Sequence, residues 1–250
     1  MTLIQGIILG FLQGLTEFLP ISSSGHLVIG QHLLGLTKAP VVFDILVHLA
    51  TALAIVVVFW PTLLKLKPKT VSLILLASLP AAVVGLSLNQ HIESIFNSLP
   101  LVSFSLIITA FLLFISNKFL SLAKRTQLTY KDSIFIGLFQ ALSIIPGISR
   151  SGSTIVAGLF RHLSPQSSYN FSFLIALPAI LGAQALHFNQ LNQISTQSLP
   201  AYILGFLAAF ISGVFSLKFL KRILQKGQLN RFAYYCLGLA VFTLIYSFVA

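Results

Sequence analysis

Charge is what this chain has least of. Asp, Glu, Lys and Arg make up only 8% of its 250 residues, where a soluble domain carries about 25%. Too little polar side chain is present to cover a globule in water, which excludes a water-soluble enzyme. A hydrophobic content of 56% excludes a disordered chain as well. Acids are the scarcest group, four against fifteen Lys and Arg, for a net charge of +11. In a soluble protein that excess would point to nucleic acid. Here the basic residues fall in short clusters between apolar runs, a membrane-topology signal, and no nucleic-acid partner is expected. The single cysteine, Cys236, excludes an internal disulfide and sits in an apolar run as a small packing residue. Residues 1–10 contain no Lys or Arg. The basic start of a signal peptide is therefore missing, and the segment reads as part of the mature fold.

What is present is apolar length, with a mean hydropathy of +0.96. Six runs are long enough to cross a bilayer, which takes roughly 17–25 helical residues: 41–60, 70–88, 100–117, 169–187, 201–220 and 232–250. They are continuously apolar rather than alternating, so they are helices and not barrel strands. Two stretches, 1–36 and 131–163, fit this scheme differently. Each has an apolar arm, a polar centre rich in Pro, Gly and Ser, and a second arm too short to span. Broken backbone of this kind must be buried in protein or line a wet cavity. Both stretches read as re-entrant helical hairpins.

The two hairpins are related. Adding 127 turns Gln13, Ile21, Ser22, Ser24 and Gly25 into Gln140, Ile148, Ser149, Ser151 and Gly152. Gly6, Gly10 and Gly14 become Ser133, Gly137 and Ala141, a stripe of small residues on both copies that lets helices approach closely. The expected fold is an all-α integral membrane protein with six transmembrane helices and two re-entrant hairpins. It forms one membrane domain of two repeats, 1–125 and 126–250. Each repeat has one hairpin and three spans, an odd number, so the repeats must be inverted relative to each other. The basic clusters agree: Lys65, Lys67 and Lys69; Lys118, Lys124, Arg125 and Lys131; Lys218, Lys221, Arg222, Lys226 and Arg231. Loops 89–99 and 188–199 contain no Lys or Arg. By the positive-inside rule the basic loops are cytoplasmic and both termini lie outside. The polar tips of the two hairpins then meet near the membrane middle.

Nearly every reactive group lies at those tips: Gln13, Glu17, Ser22, Ser23, Ser24 and His26 on the first, Ser149, Arg150, Ser151, Ser153 and Thr154 on the second. Ionisable residues at membrane depth are costly and mark function by default, and Glu17 with Arg150 is one such pair. A purely structural ion pair would not explain why hydroxyls and a histidine converge with it. The chemistry fits a phosphate site. Helix N-termini and serine hydroxyls, with Gly25 allowing close backbone approach, can bind phosphate oxygens. Arg150 can grip two oxygens at once. Glu17 can hold Mg²⁺ or Ca²⁺. His26 can move a proton.

The stretches QGLTEFLPISSSGH at 13–26 and PGISRSGST at 146–154 resemble the two signatures of bacterial undecaprenyl-pyrophosphate phosphatases of the bacitracin-resistance type. The resemblance extends over essentially the whole chain. It implies an integral enzyme of the cytoplasmic (inner) membrane, with a site open to the outer side and a requirement for Mg²⁺ or Ca²⁺. Its reaction removes one phosphate from undecaprenyl pyrophosphate, regenerating the lipid carrier of cell-wall synthesis. The polyprenyl lipid and the bilayer are the implied partners, and a homodimer is compatible with the reading. The family often has Glu where this chain has Gln13, leaving Glu17 as the one carboxylate on that helix face for metal. Asp44 and His48, in FDILVH at 43–48, are expected to support the site, with direct contact to the substrate the equal alternative. Ser22, Ser24, Gly25, Ser149, Ser151 and Thr154 are expected to bind phosphate. For the attacking group the resemblance favours Ser23, whereas spacing alone equally allows Ser22 or Ser24. His26 is three residues on, placed to reach back as base or to protonate the leaving group; His26 itself or an activated water is the competing nucleophile. Lipid phosphatases with a histidine nucleophile are disfavoured, because Val156 stands six residues after Arg150 and no carboxylate follows nearby. The rival from another class is a transporter or channel built on the same repeats.

Overall fold

The structure, a computed structural model, describes residues 1–36, 40–96, 98–193 and 197–248, with the side chains of 88–96 and of Gln193 left undescribed. Among the described residues ten α-helices form: α1 (Leu3–Phe18), α2 (Ser23–Leu33), α3 (Val41–Leu63), α4 (Pro68–Phe96), α5 (Leu99–Ser116), α6 (Tyr130–Leu142), α7 (Arg150–Phe160), α8 (Pro165–Leu186), α9 (Leu199–Gln225) and α10 (Asn230–Tyr246). Among the described residues no β-strand forms; a lone bridge joins Arg125 and Leu163. α3, α4, α5, α8 and α9 are long and apolar enough to cross a membrane. Large apolar side chains such as Ile4, Leu75, Phe104, Ile211 and Phe215 are exposed around the bundle, which in water would be an unsustainable apolar surface. The molecule is a multi-pass membrane protein. The sixth expected span is shorter than anticipated. α10 has 17 residues, about 25 Å of helix at 1.5 Å per residue. His91, Glu93 and the last residues of the 232–250 run lie outside the described side chains.

Both expected hairpin stretches are helix–break–helix pairs. α1 starts on a capping box: Thr2 Oγ1 accepts from the Gln5 amide, and Gln5 Oε1 accepts from the Thr2 amide. α6 starts on the same device, Thr129 with Asp132, which is the offset of 127 again. Each first arm ends at a break, and Ser22 or Ser149 then caps a short second helix. Ser22 accepts from the Gly25 amide at 3.4 Å, and Ser149 accepts from the Gly152 amide at 3.1 Å.

The small-residue stripes act as the sequence suggests. A Cβ on Gly10 would fall on the backbone of Gly205 in α9, and one on Gly6 would meet the Ala201 carbonyl oxygen at 2.5 Å. Ser212 and Ser216 of α9 donate to the Phe11 and Leu15 carbonyls of α1. In the other half Gly137 of α6 abuts α4, where a Cβ would lie 2.5 Å from the Ala77 carbonyl oxygen. So α1 packs on α9, α6 packs on α4, and α5 packs on α10. One aromatic cluster joins Phe18 of α1 to Phe173 and Tyr169 of α8 and Phe59 of α3, holding the first hairpin's arm against the spans.

The basic end is stapled by one carboxylate. Asp132 is fully buried and takes both terminal amino groups of Arg125, at 2.7 and 2.9 Å, and Nε of Arg161, at 2.8 Å. It ties the loop before α6 to the end of α7.

Candidate active site

The tips of the two broken hairpins touch. Arg150 Nη2 donates to Glu17 Oε1 at 2.5 Å, Ser151 Oγ donates to the Leu19 carbonyl at 3.1 Å, and the Gly147 amide reaches Ser24 Oγ at 3.5 Å. Close approach is possible because the contact points lack side chains. A Cβ on Gly152 would crowd Pro20 at 3.2 Å, and one on Gly25 would crowd Val102 at the same distance. Gly147 adopts φ +94, a conformation open to glycine, and lies against Val102 and Ser105 of α5.

Glu17 is the hub. It lies in the last turn of α1 with 8% of its surface exposed. Besides Arg150 on Oε1, its Oε2 accepts from Ser23 Oγ at 2.6 Å and from Gln13 Nε2 at 3.1 Å. His48 of α3 donates from Nδ1 to the Asp44 carbonyl at 2.7 Å. Ser23 and Ser24 are half-buried and reachable, whereas Ser22, Ser149, Ser151 and Thr154 are buried. Ser151 bonds Leu19, Thr154 bonds Ser172 and the Arg150 carbonyl, and Ser149 caps α7. These three hydroxyls shape the second tip, whereas Ser23, Ser24 and Arg150 keep part of their surface exposed. Arg150 Nη1 and Gln13 Oε1 are buried and have no hydrogen-bond partner among the described residues. Orphaned donors and acceptors are costly, and a ligand able to meet both would relieve that cost.

His26 departs from its expected position. It does not hydrogen-bond Ser23 or Glu17. Its Nδ1 lies 2.7 Å from the Ser22 carbonyl and its Nε2 lies 2.8 Å from the hydroxyl of Tyr235. The ring nitrogens are both engaged, because α10 delivers a tyrosine into the first tip. Two supporting residues escaped the sequence reading. Thr109 of α5 holds the second tip by donating to the Gly147 carbonyl and accepting from the Ser149 amide, at 2.9 and 3.0 Å. Cys236 contacts the Pro20 carbonyl at 3.7 Å, and Thr109 and Gly147 correspond to Cys236 and Pro20 under the offset of 127. The available signal was weak, since Thr109 is one of four hydroxyl residues in α5, with Ser103, Ser105 and Ser116. Tyr235 carried none.

The family model described as bacitracin resistance protein BacA matches residues 6–242, a stretch that includes both tips. The chain belongs to the BacA family. Within that family's neighbourhood it is 40% identical to the undecaprenyl-diphosphatase of Carboxydothermus hydrogenoformans, over 96% of each chain. It is 37% identical to the undecaprenyl-diphosphatase of Desulforapulum autotrophicum over the full length of both, and 38% identical to that of Halothermothrix orenii over 94% of this chain and 95% of the other.

A BacA-type site raises the question of a metal. Among the described residues no group of three or more His, Cys, Asp or Glu side chains converges, so a caged resident ion does not fit. The oxygens present, Glu17 and the unpartnered Gln13 Oε1, suit a cation that arrives with phosphates. Mg²⁺ in particular is usually held by one or two protein oxygens plus substrate phosphates.

Proposed function

We propose that this chain hydrolyses undecaprenyl pyrophosphate to undecaprenyl phosphate and inorganic phosphate, recycling the lipid carrier of cell-wall synthesis. The observation that carries the chemistry is the 2.6 Å hydrogen bond from Ser23 Oγ to Glu17 Oε2, with Arg150 on the other carboxylate oxygen. A serine hydroxyl needs a base to attack phosphorus. Glu17 is that base. Ser23 Oγ attacks the terminal phosphorus, its proton passes to Glu17, and the bond from that phosphorus to the anhydride oxygen breaks. Undecaprenyl phosphate leaves. Glu17 releases that proton to the departing phosphate or to solvent; water then attacks the phosphoserine, Glu17 takes the water's proton and returns it to Ser23 Oγ as the bond from phosphorus to that oxygen breaks, and inorganic phosphate departs. The free Nη1 of Arg150 and the Ser24 hydroxyl bind the phosphoryl oxygens as charge shifts toward the leaving group. His26 serves as neither base nor nucleophile in this arrangement, because its two nitrogens are engaged elsewhere. Mg²⁺ or Ca²⁺, held by Glu17 and Gln13, would supply charge neutralisation on the pyrophosphate.

The proposed setting is the bacterial cytoplasmic (inner) membrane. In it α10 completes six spans, and the α1–α2 and α6–α7 pairs are re-entrant hairpins of two inverted repeats, 1–125 and 126–250. The shared offset of 127, the paired capping boxes and the exchanged packing of α1 on α9 and α6 on α4 support that reading. The basic loops then face the cytoplasm and the site opens outward. A transporter could be built on such repeats, but it would not need a serine bonded to a carboxylate beside an arginine with an open donor. The test is chromatography of the lipid after incubating undecaprenyl pyrophosphate with purified protein in detergent and Mg²⁺. Conversion to undecaprenyl phosphate is expected, and unchanged substrate would reject the reading.

A further inference from the structure

The first tip contains a strained residue. Ser22 has φ +67 and ψ +99, a backbone state that is strained for a non-glycine residue and persists only where surrounding bonds over-determine it. The strain matters because Ser22 immediately precedes Ser23. Four bonds hold it. Ser22 Oγ meets the Gly25 amide and Ser24 Oγ, and the Ser22 carbonyl accepts from the His26 amide, at 3.2 Å, and from His26 Nδ1, at 2.7 Å. The shortest of the four comes from the imidazole.

That bond imposes a tautomer. A carbonyl oxygen only accepts, so Nδ1 must carry the proton, and in the neutral ring Nε2 is then an acceptor. Neutral histidine in water favours the opposite form, with the proton on Nε2. In that form Nδ1 would turn a lone pair on the Ser22 carbonyl and the brace would be lost. What sets the balance is the group at Nε2. The Tyr235 hydroxyl lies 2.8 Å from it, and the two rings stack with 4° between their planes and centroids 5.6 Å apart. His26 is 5% exposed, and the rings run parallel, so the imidazole has one orientation to offer.

We propose that Tyr235 is a positioning residue for the phosphatase reaction: by donating to His26 Nε2 it selects the Nδ1–H tautomer that braces the Ser22 carbonyl, and so fixes Ser23 against Glu17. The inference rests on the reading of Ser23 as the attacking group. Tyr235 touches no reacting atom. It acts across 209 residues of sequence, from α10 to the N-terminus of α2, and gives a role to the one titratable side chain of the tips that the chemical steps leave unused.

The test is Tyr235→Phe, which keeps the stacked ring and removes only the hydroxyl. Tyr234→Phe is the control, since Tyr234 packs on Phe114 away from the tips. Two readouts are taken. In ¹⁵N-histidine NMR of the resting protein in detergent, wild type should show His26 protonated at Nδ1 with Nε2 as acceptor. Tyr235→Phe should move His26 toward the Nε2–H form. In steady-state hydrolysis, Tyr235→Phe should lower kcat about tenfold, the rate equivalent of roughly one neutral hydrogen bond, with KM within about twofold and the melting temperature unchanged. Tyr234→Phe should leave all three values unchanged. Identical His26 signals in wild type and Tyr235→Phe, or a kcat within twofold of wild type, would overturn the proposal. The NMR readout needs no substrate, so it separates failure of the Tyr235 inference from failure of the hydrolase reading.

Discussion

Ser23 Oγ donates to Glu17 Oε2 across 2.6 Å, although the two residues belong to different helices separated by a break at Leu19–Ser22. Glu17→Gln probes this arrangement, because the amide keeps the size of the carboxylate but cannot take the proton. Its kcat should fall by about 10²–10⁴, the usual contribution of a general base, with the protein still folded in detergent. A loss under about tenfold would assign the proton to another group.

Arg150 carries one amino group on Glu17 and leaves Nη1 unpartnered. Arg150→Lys keeps the charge and can keep the Glu17 contact, but an ammonium cannot hold Glu17 and a phosphoryl oxygen in the same fork. We expect turnover to drop by roughly 10²–10³, as when an oxyanion donor is removed. Near-normal phosphate release would make Arg150 a structural partner of Glu17.

The helix contacts at Gly10 and Gly137 predict parallel losses of stability. A side chain at Gly10 would strike the Gly205 backbone, and one at Gly137 would strike the Ala77 carbonyl. Overpacking against backbone costs about 1–3 kcal/mol or more. Gly10→Val and Gly137→Val should therefore both lower the melting temperature in detergent. Gly182→Ala, which meets nothing within 4 Å, should be neutral or slightly stabilising.

Asp132 ties the basic end together. Burial opposes its ionisation, yet hydrogen bonds from Arg125, Arg161 and Thr129 outweigh it and hold the carboxyl well below the usual aspartate range. A carboxyl depressed by folding contributes stability that is complete above its unfolded value near 3.8 and is lost as pH falls below it. Asp132→Asn should destabilise the protein by about 2 kcal/mol at neutral pH, discounted because both arginines are partly exposed. The gap to wild type should shrink as the pH is lowered through 4. Equal melting temperatures at pH 7 would remove the staple from the account.

The two broken hairpins were legible because their signals are local: Pro, Gly and Ser interrupt apolar runs, and the offset of 127 repeats residue types one by one. Glu17 and Arg150 were legible because charge within so apolar a chain is rare. The short reach of α10 was not, since an apolar run does not announce where its helix begins or ends. Tyr235 and Thr109 were missed for a related reason. Each looks like one more residue of an apolar span, and its partner lies far along the chain, where only packing decides who meets whom. His26 shows the limit of spacing. Three residues from Ser23 it is near enough to serve as base, but the cap at Ser22 turns its ring toward the backbone and Tyr235.

The expected orientation is checked by cysteine labelling after residues 67, 125 and 227 in a Cys236→Ser background. A membrane-impermeant maleimide should leave all three sites unlabelled in intact cells and label them in inverted vesicles. Labelling from outside would overturn the inverted arrangement.

The most direct test is inorganic phosphate release from undecaprenyl pyrophosphate by purified wild type and by Ser23→Ala, in detergent with Mg²⁺. Removing the attacking oxygen while leaving Glu17, Arg150 and Ser24 in place should lower kcat by at least about 10³, with substrate binding largely kept. Turnover of Ser23→Ala within about tenfold of wild type, a barrier change of only about 1.4 kcal/mol, would contradict the account and move the attack to water.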